Sequence, residues 1–186
     1  MKNILSSLVL VAVLGCASVP ALAAGDAPIP EINKSHTALV ITDPQNEFLR
    51  EDGKLFPLLA ENLKELKTID NIAKLMEVSK DAGLAMAVDP LVYTALDGTW
   101  THPGALQKQL LGMKALHRQA LNDPKGFDGS GADFYQRYKP YIYDGKTIVV
   151  APHKMYGPES NDLIYQLRSR GIDTVILGGM VANLCV

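Results

Sequence analysis

Thr37-Ala38-Leu39-Val40-Ile41-Thr42-Asp43-Pro44 is the stretch that decides the fold. Its first six residues form a short apolar run rich in β-branched side chains, the pattern of a strand buried on both faces, and Asp43-Pro44 turns the chain into a loop. The same arrangement returns at Leu84-Ala85-Met86-Ala87-Val88, again followed by a carboxylate and a proline, Asp89-Pro90. Two further runs, Thr147 to Ala151 leading into Pro152-His153-Lys154 and Thr174 to Leu177 leading into Gly178-Gly179-Met180, bring the number of expected strands to four.

Between the first two strands, residues 57–82 carry Leu58, Leu59, Leu63, Leu66, Ile69, Ile72, Leu75, Met76 and Val78 at close to helical spacing, with Gly83 as a closing glycine. One long helix and two shorter ones broken near Thr68 both fit. Before the last strand, Ser160 or Asn161 can cap a helix that turns Leu163, Ile164 and Leu167 inward and ends at Gly171. Residues 91–143 are less regular, rich in aromatic residues and glycine, and read as an insertion near the site that holds a helix over Gln107 to Gln119. Strands of this kind alternating with helices predict an α/β fold, a parallel sheet flanked by helices. In such sheets the ligand site lies beyond the carboxyl ends of the strands, which here supply Asp43, Asp89, Lys154 and Cys185.

The chain has 186 residues and a formal net charge of −2. Residues 1–24 have the form of a secretory signal peptide: Lys2, an apolar stretch from Ile4 to Gly15, and the small-residue site Ala21-Leu22-Ala23. The stretch Val13-Leu14-Gly15-Cys16 offers the alternative of a lipoprotein signal with Cys16 lipidated. Removal of residues 1–24 predicts an exported protein, periplasmic or secreted, with a tail at 25–36, one domain at 37–186 and no transmembrane segment. Basic residues are neither in excess nor clustered, so nucleic acid and anionic membrane surfaces are not expected partners.

After signal removal Cys185 is the one remaining cysteine. An unpaired thiol in an exported chain points to an intermolecular bond or to reactivity. A cysteine acts as nucleophile when its thiolate is stabilised by a cation or a helix start. Lys154 can supply the cation, and Asp43 can accept the thiol proton, return it to a leaving group and later activate water. Burial would raise the Asp43 pKa while Lys154 would lower it. The plainer readings are a loop-capping Asp43, a solvated Lys154, His153 as a surface or flanking residue, and Cys185 as a buried inert thiol.

Three segments together resemble the isochorismatase-like cysteine hydrolases, a family that includes nicotinamidases and other amide hydrolases. They are Leu39 to Phe48, with Asp43, Gln45 and Phe48 in an Asp-x-Gln-x-x-Phe pattern; Val149-Val150-Ala151-Pro152-His153-Lys154; and Leu177 to Val186, with Cys185. The resemblance implies a three-layer, Rossmann-like fold and a catalytic triad of Asp43, Lys154 and Cys185. It also implies a cis peptide between Met180 and Val181 that aims the Val181 and Cys185 amides at an oxyanion, and substrate contacts by Gln45 and Phe48. Cleavage of a C–N bond in a small amide through a thioester is the implied reaction. Two alternatives stand beside it: vinyl ether hydrolysis of the isochorismatase type, and a non-catalytic or redox-responsive binder on the same fold.

Homo-oligomers are frequent in this family, and the chain stops where its members continue, so the domain is expected to be incomplete at its C-terminus. Nicotinamidases hold a divalent metal with an Asp-x-His pair and a further histidine. The matching stretch here is Asp89-Pro90-Leu91, with Asp97 and His102 beyond it. The loss of imidazoles argues against a tight zinc or iron site, and no cofactor is expected.

Overall fold

The computed structural model describes residues 31–155, 160–182 and 184–186. The signal-peptide expectation and Cys16 lie outside the described residues. Four strands form one parallel sheet: β1 (Thr37–Thr42), β2 (Ala85–Asp89), β5 (Ile148–Val149) and β6 (Thr174–Gly179), in the order β5-β2-β1-β6. β1 is the central strand, paired with β2 from Ala38↔Ala85 to Thr42↔Asp89 and with β6 from Thr37↔Thr174 to Thr42↔Gly179. Every residue of β1 is buried, as its uninterrupted apolar run requires.

Successive side chains of β1 point to opposite faces of the sheet and feed two cores. Leu39 and Ile41 pack with Ile72 and Met76 from the helices that precede β2, while Ala38 and Val40 pack with Leu163 and Leu167. The segment between β1 and β2 is two helices, α2 (Phe56–Glu65) and α3 (Thr68–Asp81), after a single short turn, α1 (Asn46–Leu49). The break falls at Lys67, whose φ of 49° takes the chain out of the helical region.

The insertion holds a pair of two-residue strands, β3 (Tyr93–Thr94) and β4 (His117–Arg118), aligned in parallel. Between them α4 spans Ala105–Met113, shorter than the expected helix. It stops there because Lys114 and Leu116 take φ of 51° and 53°, which brings His117 and Arg118 into register with β3. α5 (Lys139–Ile142) closes the insertion. The buried Glu47 carboxylate ties this region to α1, accepting the amides of Lys54 at 2.8 Å and Leu116 at 2.6 Å.

The final helix, α6 (Leu163–Arg168), starts where Asn161 Oδ1 accepts the Leu163 amide at 3.0 Å. β6 forms one edge of the sheet, and Val175 and Leu177 on it are nearly half exposed. No helix among the described residues is long and apolar enough to cross a membrane.

Candidate active site

The carboxyl ends of the four strands converge on a buried polar cluster. Asp43, just past β1, has φ 52° and gives its amide to the Asp89 carbonyl at 2.9 Å, so its side chain turns beneath the sheet end, where it is fully buried. Its Oδ1 meets His153 Nε2 at 2.9 Å. The Cys185 thiol stands against the same carboxyl group, and among the described residues Asp43 Oδ2 has no hydrogen-bond partner. Asp89 adjoins, with Oδ1 accepting from Asn161 Nδ2 at 2.5 Å and Oδ2 unpartnered.

The electrostatics follow from this crowding of acids away from water. Burial raises the Asp43 pKa, and the hydrogen bond and charge of His153 only partly oppose it. Burial also lifts Asp89, to about 6. The Cys185 thiol is pushed up to about 12 by burial and then by the neighbouring Asp43. At rest the thiol is therefore protonated, and any nucleophilic role for it requires a base to remove its proton. A redox-responsive thiol needs low pKa and exposure, and Cys185 is only 7% exposed.

His153 is completely buried, which excludes the surface alternative and leaves the flanking one. A parallel bridge to Leu91, with the His153 amide on the Pro90 carbonyl at 2.9 Å, continues the sheet past β5. That bridge brings His153 to Asp43, and at Lys154 the chain bends away from the extended path. Lys154 Nζ donates to the Val92 carbonyl at 2.9 Å, forms an ion pair with Asp97 and lies 5.7 Å from the Tyr93 ring centroid. No hydrogen bond or ion pair among the described residues joins Lys154 to Asp43 or Cys185. The direct contact with Asp43 implied by the triad is thus made by the preceding residue.

Gln45 is likewise committed to the fold. Fully buried, it donates to the Leu91 and Ala132 carbonyls at 2.9 and 2.8 Å and accepts the Leu91 amide at 2.9 Å, so it fastens the insertion to the sheet and offers no free group to a substrate. Phe48 does face the site. With Leu91, Leu110, Met155, Val181 and Leu184 it lines a wholly apolar cavity of about 120 Å³ that reaches Cys185. The Met180–Val181 peptide is cis. Of the two amides expected at an oxyanion, that of Cys185 closes a turn on the Val181 carbonyl at 3.0 Å, whereas that of Val181 makes no hydrogen bond among the described residues.

The residues at the metal positions of the resemblance do not fit a divalent ion. Leu91 is an apolar wall of the cavity, Asp97 is held by Lys154 and by the Thr94 amide at 2.7 Å, and His102 bonds Thr101. Among the described residues no three His, Cys, Asp or Glu side chains are grouped to hold a metal.

Asp89 gives a stability test. Its folded pKa lies above the unfolded value, so its contribution is fully present below pH 3.8 and is lost as pH rises through about 6. Asp89→Asn keeps the acceptor for Asn161 and removes that loss. The variant is expected to gain up to about 3 kcal/mol over the parent at pH 8 and little at pH 4, measured by urea unfolding.

The carboxyl ends of this parallel sheet thus gather a thiol, a carboxyl group and an imidazole at the edge of an apolar cavity, where α/β folds bind their ligands. The isochorismatase domain profile matches residues 37–186, and the chain belongs to that family of hydrolases. Among curated proteins none matches it.

Solved structures with the same fold include a cysteine hydrolase from Pseudomonas syringae pv. phaseolicola 1448A, at 22% identity and a TM-score of 0.60 over 83% of this chain and 63% of that one. N-carbamoylsarcosine amidase from Thermoplasma acidophilum follows at 24% and 0.57, over 81% of this chain and 70% of that one. Nicotinamidase from Bacillus subtilis stands at 19% and 0.53, over 80% and 73%. The chain thus spans less than two thirds of the length of the first of these and more of the other two.

Proposed function

We propose that this chain is an exported hydrolase that cleaves the C–N bond of a small amide, with Cys185 as nucleophile and Asp43 as proton carrier. The observation that carries the reading is the Cys185 thiol lodged between the Asp43 carboxyl group and the apolar cavity. Cys185 Sγ adds to the amide carbonyl while its proton passes to Asp43, and the Val181 amide donates to the oxyanion. Asp43 gives that proton to the departing amine as the C–N bond breaks. It then takes a proton from water, which adds to the thioester, and returns it to the leaving thiolate, releasing the acid.

The named activities of an amidase and a nicotinamidase among the structures of this fold agree with C–N chemistry. The nucleophilic thiol favours it over vinyl ether hydrolysis. The apolar cavity suits an uncharged acyl group. Lys154, the third triad member by resemblance, enters by holding Asp97 and the Val92 carbonyl, which steadies the strand and loop beside Cys185. Export is the reading of residues 1–24. A mature N-terminus at Gly25 in the periplasmic or culture fraction is expected.

Rapid mixing with a panel of small uncharged primary amides, followed by intact-mass measurement, tests the reaction. An acyl adduct on Cys185 with stoichiometric ammonia is expected. Isochorismate hydrolysis that survives Cys185→Ala would overturn the proposal in favour of the vinyl ether reaction.

A further inference from the structure

We infer that His153, and not Lys154, is the positioning residue that sets the charge of Asp43 and through it the reactivity of Cys185. The inference rests on the hydrolase reading above. His153 Nε2 is 2.9 Å from Asp43 Oδ1, both side chains are fully shielded from water, and Lys154 is engaged by Asp97 and the Val92 carbonyl.

The groups facing His153 come from every strand end. Asp43 follows β1, Asp89 ends β2, and the Cys185 thiol follows β6 against Asp43. The Tyr93 phenol of β3 lies within electrostatic reach of Asp43 and Cys185, and Asn161, ahead of α6, holds Asp89 without adding charge. Among these, Asp43 Oδ2, Asp89 Oδ2 and His153 Nδ1 are all buried without a hydrogen-bond partner among the described residues. Two carboxylates beside a neutral imidazole would leave an uncompensated negative charge in a dry interior. One retained proton halves it. Placed on His153, that proton lets Asp43 stand as the carboxylate that can receive the thiol proton.

Burial lowers the His153 pKa, but the hydrogen bond to Asp43 and the charges of Asp43 and Asp89 outweigh it, so the net direction is upward. The proton belongs to the cluster and leaves in steps shared among its members. A lysine in this place would stay charged far above neutral pH. An imidazole loses its charge closer to neutrality, so the site carries a pH dependence that a lysine partner would not give it.

The test reads the pH dependence of Cys185 alkylation by iodoacetamide in the full chain, for the parent, His153→Gln, His153→Lys and Lys154→Met. In His153→Gln the rate at pH 7 is expected to fall about tenfold or more, equivalent to one unit or more in the thiol's apparent pKa. His153→Lys is expected to restore it, and Lys154→Met to shift the profile less than His153→Gln. A larger shift in Lys154→Met than in His153→Gln overturns the inference.

Should His153→Gln fail to fold, the imidazole resonances of the parent decide. His153 titrating above 6.5, and falling in Asp43→Asn, supports the pairing; titration at or below 6.5 overturns it. These readouts need no substrate. If they behave as expected and no amide is turned over, the hydrolase reading fails while the pairing stands. Amide turnover with an alkylation profile indifferent to His153 sinks the pairing alone.

Discussion

Cys185→Ala is expected to lose at least about a thousandfold in amide hydrolysis, because the variant retains the cavity and the Val181 amide but has no atom to form the thioester. The fold should tolerate the change. The thiol is neutral at pH 7, pushed up to about 12, so no buried charge is left unpaired when it is removed. Ammonia release read beside far-ultraviolet circular dichroism separates the two effects. Cys185→Ser is the sharper control, since a buried hydroxyl beside Asp43 preserves polarity while its far higher pKa removes the nucleophile. A variant without the thiol that kept a tenth of the parental rate would show that catalysis proceeds by another group.

Gly179→Ala is expected to cost about 3–5 kcal/mol, enough to unfold much of a protein with an ordinary stability margin. At its φ of 130° an L side chain is strained, and a Cβ would lie 2.3 Å from both the carbonyl and the hydroxyl oxygen of Thr42 and 2.7 Å from its amide nitrogen. These atoms belong to the central strand, in the register pair Thr42↔Gly179, and cannot retreat without opening the β1–β6 ladder. Its neighbour Gly178 is the contrast. There a Cβ would meet only the ends of the Ile41 and Leu75 side chains, at 3.3 and 3.9 Å, so Gly178→Ala should cost under about 1 kcal/mol. Equal urea midpoints for the two variants would refute this account of the β6 end.

The four strands were legible because each is a short, continuous apolar run; burial on both faces imposes that pattern on β1 and β2, while β5 and β6 keep it although partly exposed at the sheet edges. The break between α2 and α3 was half legible, as one of two fitting readings; periodicity continues across Lys67, and only the backbone shows the turn. β3 and β4 were not legible, since two residues each carry no period and their pairing is made by Leu116 and Tyr93 across the insertion.

In the site, Asp43 and Cys185 could be named from their places after strands. The facing of His153 and Lys154 could not. It depends on the bridge from His153 to Leu91, a register between distant segments that fixes which of two adjacent side chains looks inward. Gln45 was read as a substrate contact because it lies in the motif. Its three hydrogen bonds to Leu91 and Ala132 show the motif residue serving the scaffold.

The placement of β1 between β2 and β6 also governs when the two sides of the central strand can be covered. During synthesis the central strand emerges early and finds β2 soon after, but its other neighbour begins at Thr174, and the cluster beneath it waits for Cys185. Long-range pairing of this kind is slow, and the half-built chain leaves the middle of its sheet without a partner. A nascent polypeptide of this design keeps that side of β1 open until β6 has emerged. Under the export proposed above from residues 1–24, that delay favours passage through a translocation channel in an extended state, with closure of the site deferred to the far side.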